Sequence, residues 1–378
     1  MVARELTEIK IPRELLPSDG RFGSGPSKIR APQIDDLVSE STHLLGTSHR
    51  QAPVKKLVGS VREQLSQLFT LPEGWQVLIG NGGASLFWDA ATFGLIRKCS
   101  QHYVFGEFSS KFAQAVWLAP HLSEPIILES PVGTAPIIET AKDWQVDTYC
   151  LTHNETSTGA MMKLLRPSQP ADALVVVDAT SAAGSMAWST DEVDVYYFSP
   201  QKGFASEGGT WIALCSPRAI ERIESIAKST RWCPASLDLS IALENSKANQ
   251  TYNTPSISTF VLLNNQLTWM LENGGLDWCV SRTSSSSKHL YDWAEQRKFA
   301  APFIVNPEFR SPVVGTIDLI GVDANDVNAV LRANKIVDTD SYRKLGRNQL
   351  RVSMFPAVEP TDVQKLTACI DFIVEAIS

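Results

Sequence analysis

No stretch of about 18 consecutive apolar residues occurs in this sequence, so no membrane-spanning helix is expected. There is no C-x-x-C pair: Cys99, Cys150, Cys215, Cys233, Cys279 and Cys369 are widely scattered. That spacing disfavours a zinc site and fits small buried hydrophobes in a reducing compartment. Positive charge is not in excess; the net charge of −7 argues against a general nucleic-acid binder and favours solubility. Residues 1–17 alternate charged and apolar side chains without the apolar core of a signal peptide, and the expectation is a cytoplasmic protein. Two nucleotide fingerprints are missing as well. Gly80-Asn81-Gly82-Gly83-Ala84-Ser85 is not followed by Gly-Lys-Ser/Thr, and no G-x-G-x-x-G is found, which disfavours a nicotinamide dehydrogenase.

What is present is an ordinary globular composition, 43% hydrophobic over 378 residues, long enough for two domains. Apolar residues at 54, 57, 58, 61, 65, 68 and 69 have helical spacing, opened by Pro53 in a first-turn position. Short apolar runs at 76–79, 103–105, 125–128, 148–151, 174–178, 193–198 and 211–215 read as strands. Helical or loop segments separate them, so the fold class is α/β with a mainly parallel seven-stranded sheet. A break is expected at Asn273-Gly274-Gly275, followed by a helix over 277–296, strands over 312–320 and 350–354, a helix over 323–333 capped by Asp323, and a closing helix over 362–377. The division is an N-terminal arm (1–20), a large domain (21–272) and a smaller α+β domain (273–378). Ser284 to Ser287 reads as a solvated helix face.

The chemistry concentrates where strands end. Leu174-Val175-Val176-Val177 ends in Asp178, and Lys202 follows the apolar run 193–198 within Ser199-Pro200-Gln201-Lys202-Gly203. Pyridoxal phosphate (PLP) needs an amine for its Schiff base and a carboxylate to keep its ring nitrogen protonated. Adjacent strand ends can supply both. Asp178 also suits the N-cap of the segment after it, and the two roles are compatible. The glycine-rich stretch 80–85, between a strand and a helix, is either a structural turn or a phosphate cup at a helix N-terminus. Ser48-His49-Arg50 is either a solvated loop or an anion binder. Arg351, inside a short apolar strand, needs a fixed anion: a salt bridge or a substrate carboxylate. Arg343, Lys344 and Arg347 are solvated charge or a second anion site.

Taken in order, Phe22-Gly23-Ser24-Gly25-Pro26-Ser27, Ser48-His49-Arg50, Asn154-Glu155-Thr156, Asp178, Gln201-Lys202, Asn253-Thr254-Pro255 and Arg351 resemble the motifs of the phosphoserine aminotransferase family, within the fold-type I, class V PLP-dependent aminotransferases. The resemblance spans nearly the whole chain. It implies Lys202 as the Schiff-base lysine, Asp178 as partner of the pyridine nitrogen, Thr156 at the ring oxygen, and Gln201, Ala84 and Ser85 around the phosphate. It further implies that Asn253 and Thr254 reach the cofactor of a neighbouring subunit in a homodimer, that His49 and Arg50 bind substrate anions, and that Arg351 binds the α-carboxylate. Three positions depart from the family: Ser85 stands where arginine is frequent, Phe108 where a tryptophan stacks on the ring, and the His-Arg pair before the last arginine has no clean match, with Arg343, Lys344 or Arg347 as replacements.

The implied activity exchanges an amino group between L-glutamate and 3-phosphohydroxypyruvate, giving O-phospho-L-serine and 2-oxoglutarate in L-serine biosynthesis. The alternative is another class V aminotransferase, such as an alanine or serine–glyoxylate type, which needs no phosphate-binding cations. No metal, nucleic acid or membrane partner is expected. A cysteine desulfurase is disfavoured because no cysteine sits in an evident Gly/Ser-rich mobile loop, and a non-catalytic relative because Lys202 and Asp178 are both retained.

Overall fold

The computed structural model describes residues 6–139, 145–168 and 170–377. Its main sheet contains β1 (Gln76–Asn81), β2 (Cys99–Val104), β3 (Ile126–Glu129), β4 (Val146–Thr152), β7 (Leu174–Asp178), β8 (Val195–Phe198) and β9 (Thr210–Cys215), with β5 (Asn154–Glu155) and β6 (Ala160–Met161) forming a small hairpin beside it. The order is β1-β9-β8-β7-β4-β2-β3. Strand β9 runs antiparallel to both its neighbours, and the remaining pairings are parallel. The expected fold class, α/β with a mainly parallel seven-stranded sheet, therefore holds.

Helices cover both faces, which is why β7 and β8 are apolar along nearly their whole length. The period of two sorts their side chains. Val175 and Val177 of β7, with Ile212 and Leu214 of β9, enter one core, shared with α1 (Ala31–Leu44), α2 (Ala52–Leu68) and the later α7 (Ile257–Glu272). Leu174 and Val176, with Trp211 and Ala213, enter the other, shared with α3 (Ala84–Gly94), α4 (Glu107–Trp117), α5 (Pro217–Ala227) and α6 (Leu239–Lys247). Asp178 has the parity of Leu174 and Val176, so its carboxylate leaves the sheet on the α3 side.

After α7 the chain forms α8 (Gly275–Glu295), then the antiparallel strands β10 (Ala300–Pro302), β11 (Val314–Leu319) and β12 (Gln349–Ser353), with α9 (Ala324–Ala333) and α10 (Pro360–Ile377). Asp323 caps α9, accepting a bond from the Asn325 N–H at 2.8 Å. The N-terminal segment is anchored to this unit: Leu6, Ile11 and Phe22 join its apolar core, and the Ser18 N–H donates to Asp362 at 2.7 Å. Residues 1–5 of the expected arm lie outside the described residues.

The serine run is a correction. Ser284 and Ser285 face solvent, but Ser286 and Ser287 are buried, because the helical sweep turns them onto the face of Thr283 and Leu290. Five of the six cysteines are buried, and Cys233 is partly exposed. Among the described residues no helix is long and apolar enough to cross a membrane.

Candidate active site

The carboxyl ends of β4, β7 and β8 and the N-terminus of α3 open on a cavity of about 810 Å³. Lys202 enters it from the turn after β8. The side chain is buried, and its Nζ donates to Thr156 Oγ1 at 2.8 Å. Burial lowers the Lys202 pKa from 10.5 to about 8; Asp178 and Glu155 oppose that shift, and Arg351 adds to it. The N-terminal loop clamps the same residue. Ser27 donates through Oγ to the Lys202 carbonyl (2.6 Å) and through N–H to the Gln201 carbonyl (2.8 Å). Gly25 has φ of +141°, and a Cβ there would lie 2.9 Å from Lys202 Cε, so only glycine lets the loop approach this closely.

Asp178 lies across the cavity. One oxygen accepts from the Thr180 N–H at 2.9 Å, the other from Trp88 Nε1 at 3.1 Å. Neither donor carries a charge, so the carboxylate keeps its affinity for a cationic partner. Asn154 donates through Nδ2 to Ser181 Oγ at 2.8 Å. Arg351 reaches in from β12. Its guanidinium carbon sits 5.4 Å from the centre of the Tyr342 ring and its Nη1 donates to the Thr156 carbonyl at 3.4 Å. Burial holds its pKa below the usual arginine value.

Among the described residues, Ser24 Oγ, Asn154 Oδ1, Thr180 Oγ1, Gln201 Oε1 and Arg351 Nε are buried without a hydrogen-bond partner. These five, of twelve such atoms among the described residues, belong to residues that line this one cavity. Buried polar atoms are normally satisfied, so their convergence marks a polar binding site.

The sequence model described as Aminotransferase class-V matches residues 136–366, more than half of the chain. The chain belongs to the class-V aminotransferases. A putative phosphoserine aminotransferase of Mycobacterium avium is 56% identical over 369 residues, covering 97% of this chain and 98% of that one. A phosphoserine aminotransferase of a Nocardioides species is 55% identical over 370 residues, with 97% and 98% covered. The solved structure of a phosphoserine aminotransferase from Cytophaga hutchinsonii superposes with a TM-score of 0.87 at 23% identity, covering 94% of this chain and 99% of that chain. A PLP-bound phosphoserine aminotransferase from Trichomonas vaginalis gives 0.80 at 20% identity, covering 93% and 99%. At these identities the two structures establish the fold.

In this class-V aminotransferase Lys202, Asp178, Thr156, Gln201, Ala84, Ser85, Phe108 and Arg351 all line the cavity. Ala84 and Ser85 open α3, while the Leu86 N–H behind them bonds to the Gly83 carbonyl at 3.0 Å. The Phe108 ring centre is 5.2 Å from Lys202 Nζ.

The other predicted residues lie elsewhere. His49 Nδ1 is 3.1 Å from Thr254 Oγ1. Asn81 bridges to the Asn253 N–H and the Thr254 carbonyl at 3.2 and 3.1 Å. His49, Asn253 and Thr254 thus form a cluster at the end of β1, with exposed Arg50 beside it, and none lines the cavity. Burial and the Arg50 charge push the His49 pKa down. Arg347 is also outside: it pairs with Asp318 at 2.5 Å and stacks on Phe303 at 4.4 Å. Lys344 is taken by Glu107 at 2.5 Å. Of that cationic group only Arg343 lines the cavity.

Ser24, Trp88, Thr180 and Tyr342 line the cavity without having been expected there. Trp88 had a signal. It lies four residues after Ala84, on the same helical face as the phosphate-cup candidate.

Proposed function

We propose that this aminotransferase uses pyridoxal phosphate to exchange the amino group between L-glutamate and 3-phosphohydroxypyruvate, giving O-phospho-L-serine and 2-oxoglutarate for L-serine formation. One observation carries the reading: a buried lysine with a depressed pKa, a carboxylate hydrogen-bonded by neutral donors, and the unpartnered Nε of Arg351 converge on one cavity. The relatives at 55 and 56% identity over 97% of the chain support the substrate choice. We further propose a cytoplasmic homodimer with residues 273–378 as its small domain. The cysteines, none of them in a disulfide, agree with that compartment. The position of His49, Arg50, Asn253 and Thr254 outside their own chain's cavity supports a site completed by a second copy.

The cavity fits the cofactor through its orphaned polar atoms and its neutral-donor carboxylate. Lys202 would hold it covalently, Asp178 would accept a hydrogen bond from its protonated ring nitrogen and keep it protonated, and Ser85 with the free amides at the start of α3 would take the phosphate. When bound, the cofactor supplies the electron sink that stabilises negative charge at the substrate α-carbon. The protein moves the proton. Lys202 Nζ takes it from the α-carbon of the amino donor and, in the reverse half-reaction, delivers one to the α-carbon of the keto acid, and a pKa near 8 keeps part of the amine neutral for that task. Thr156 Oγ1 aims the amine. Arg351 fixes the α-carboxylate, and Arg343 meets the second anionic group, carboxylate in one substrate and phosphate in the other.

The test is the visible spectrum of the purified holoenzyme. L-Glutamate should bleach the cofactor band and 3-phosphohydroxypyruvate should restore it. A band that ignores glutamate but answers alanine or serine would move the function to the glyoxylate-using type. No band after added cofactor would overturn the reading.

A further inference from the structure

One fully buried carboxylate beside the cavity does not line it. Glu155 is 0% exposed and lies in the hairpin strand β5, immediately before Thr156. Its bonds run to the start of α4, a different element. The Ser109 N–H donates to Glu155 Oε2 at 2.9 Å, and the Phe108 N–H is shared between Oε2 at 3.1 Å and Oε1 at 3.3 Å. Ser157 donates through Oγ to Oε1 at 2.7 Å, while the same Oγ accepts from the Glu107 N–H at 3.1 Å. The first amides of a helix have no partner within the helix, and here a carboxylate from another segment supplies one. The approach is so close that a Cβ on Gly106 would lie 2.3 Å from Glu155 Cγ.

Two cavity groups depend on this contact. Phe108, whose own N–H is bonded to Glu155, presents its ring to the cavity 5.2 Å from Lys202 Nζ. Thr156, the next residue in the chain, accepts the Lys202 bond at 2.8 Å. We infer that Glu155 is a positioning residue for the transamination, holding the Phe108 ring and the Thr156 hydroxyl in register about Lys202. It also acts by charge. Together with Asp178 it raises the proton affinity of Lys202, against burial and Arg351. The inference rests on the cofactor reading above.

Two substitutions separate reach from charge. Glu155→Asp keeps the charge and shortens the arm; Glu155→Gln keeps the arm, removes the charge, and turns an NH2 group toward donors on one side. Each is purified as holoenzyme beside wild type. A missing visible band in wild type would defeat the cofactor reading itself, whatever the variants do. With that band present, Glu155→Asp should lose at least half of its visible circular dichroism, because the ring loses its fixed neighbours. Its pH midpoint should stay in place. Glu155→Gln should shift the pH midpoint of the visible band downward, and kcat should fall about tenfold or more in both, with smaller changes in KM. A lower melting temperature with unchanged dichroism, midpoint and kcat would reduce Glu155 to a helix cap and overturn the proposal. If Glu155→Gln fails to fold, Ser157→Ala, which removes the hydroxyl bond to Oε1 and frees the Glu107 N–H, replaces it. Loss of dichroism there supports the inference, and wild-type dichroism refutes it.

Discussion

The environment of Lys202 differs sharply from that of a free lysine. With its pKa lowered from 10.5 to about 8, its neutral fraction at neutral pH rises by roughly 300-fold. The sign follows from burial: removing water penalises the ammonium, so the proton leaves at lower pH. Capture of pyridoxal phosphate by the apoprotein should therefore accelerate with pH along a curve centred near 8, and a curve still rising past pH 10 would contradict the buried amine. Lys202→Ala should show no such capture. Arg351 offers a second prediction. Its Nε has no partner, and a charged hydrogen bond contributes about 1.5–3 kcal/mol. Arg351→Gln should accordingly cost roughly 10–100-fold in kcat/KM for both the amino donor and the keto acid. A loss confined to one of them would remove Arg351 from the shared α-carboxylate.

Elements decide which of these side chains meet. The five-residue strand Leu174–Asp178 is legible in the sequence because a strand covered on both faces must be apolar throughout, so a terminal acid stands out. The lysine after β8 is legible for the same reason. The contact between Trp88 and Asp178 is not, since it joins residues 90 apart through the crossing of α3 over the sheet end. The misplacement of Arg347 has a local cause. Gly346 takes a left-handed φ of +62°, and this turn sends Arg347 back to Asp318 and leaves Arg343 on the cavity side. His49 and Arg50 were legible as an anion-binding pair but not by location, because a motif does not state which cavity it serves. The N-terminal loop provides the prediction at this scale. Gly25→Ala adds a methyl group 2.9 Å from Lys202 Cε at a φ that favours glycine, a clash of about 1–3 kcal/mol. The activity should fall roughly 10-fold or more, with the cofactor band altered and the melting temperature lowered by roughly a few degrees. An unchanged band and rate would show that the loop yields without disturbing the lysine.

At the scale of the whole molecule the open matter is why the cluster at the end of β1 sits outside the cavity. Within one chain, His49 bonds to Thr254, Asn81 bonds to both Asn253 and Thr254, and Arg50 projects into solvent. Such a group gains a catalytic use if a two-fold axis carries it to the cavity of a second copy. An isologous interface then completes both sites at once. Mixing separates this from a role within the same chain. Lys202→Ala and Arg50→Ala should each be severely impaired as pure proteins. After subunit exchange, a hybrid dimer combines Lys202 of one subunit with Arg50 of the other in one intact site, while its second site lacks both. With half of the dimers hybrid and one site working in each, about one quarter of the wild-type activity should return. If Arg50 serves its own chain, every site in the mixture lacks either Lys202 or Arg50, and no activity returns. Sedimentation of the wild-type holoenzyme as a monomer would exclude the shared site before any mixing, leaving Arg343 and Arg351 as the cations available to two anionic substrate groups.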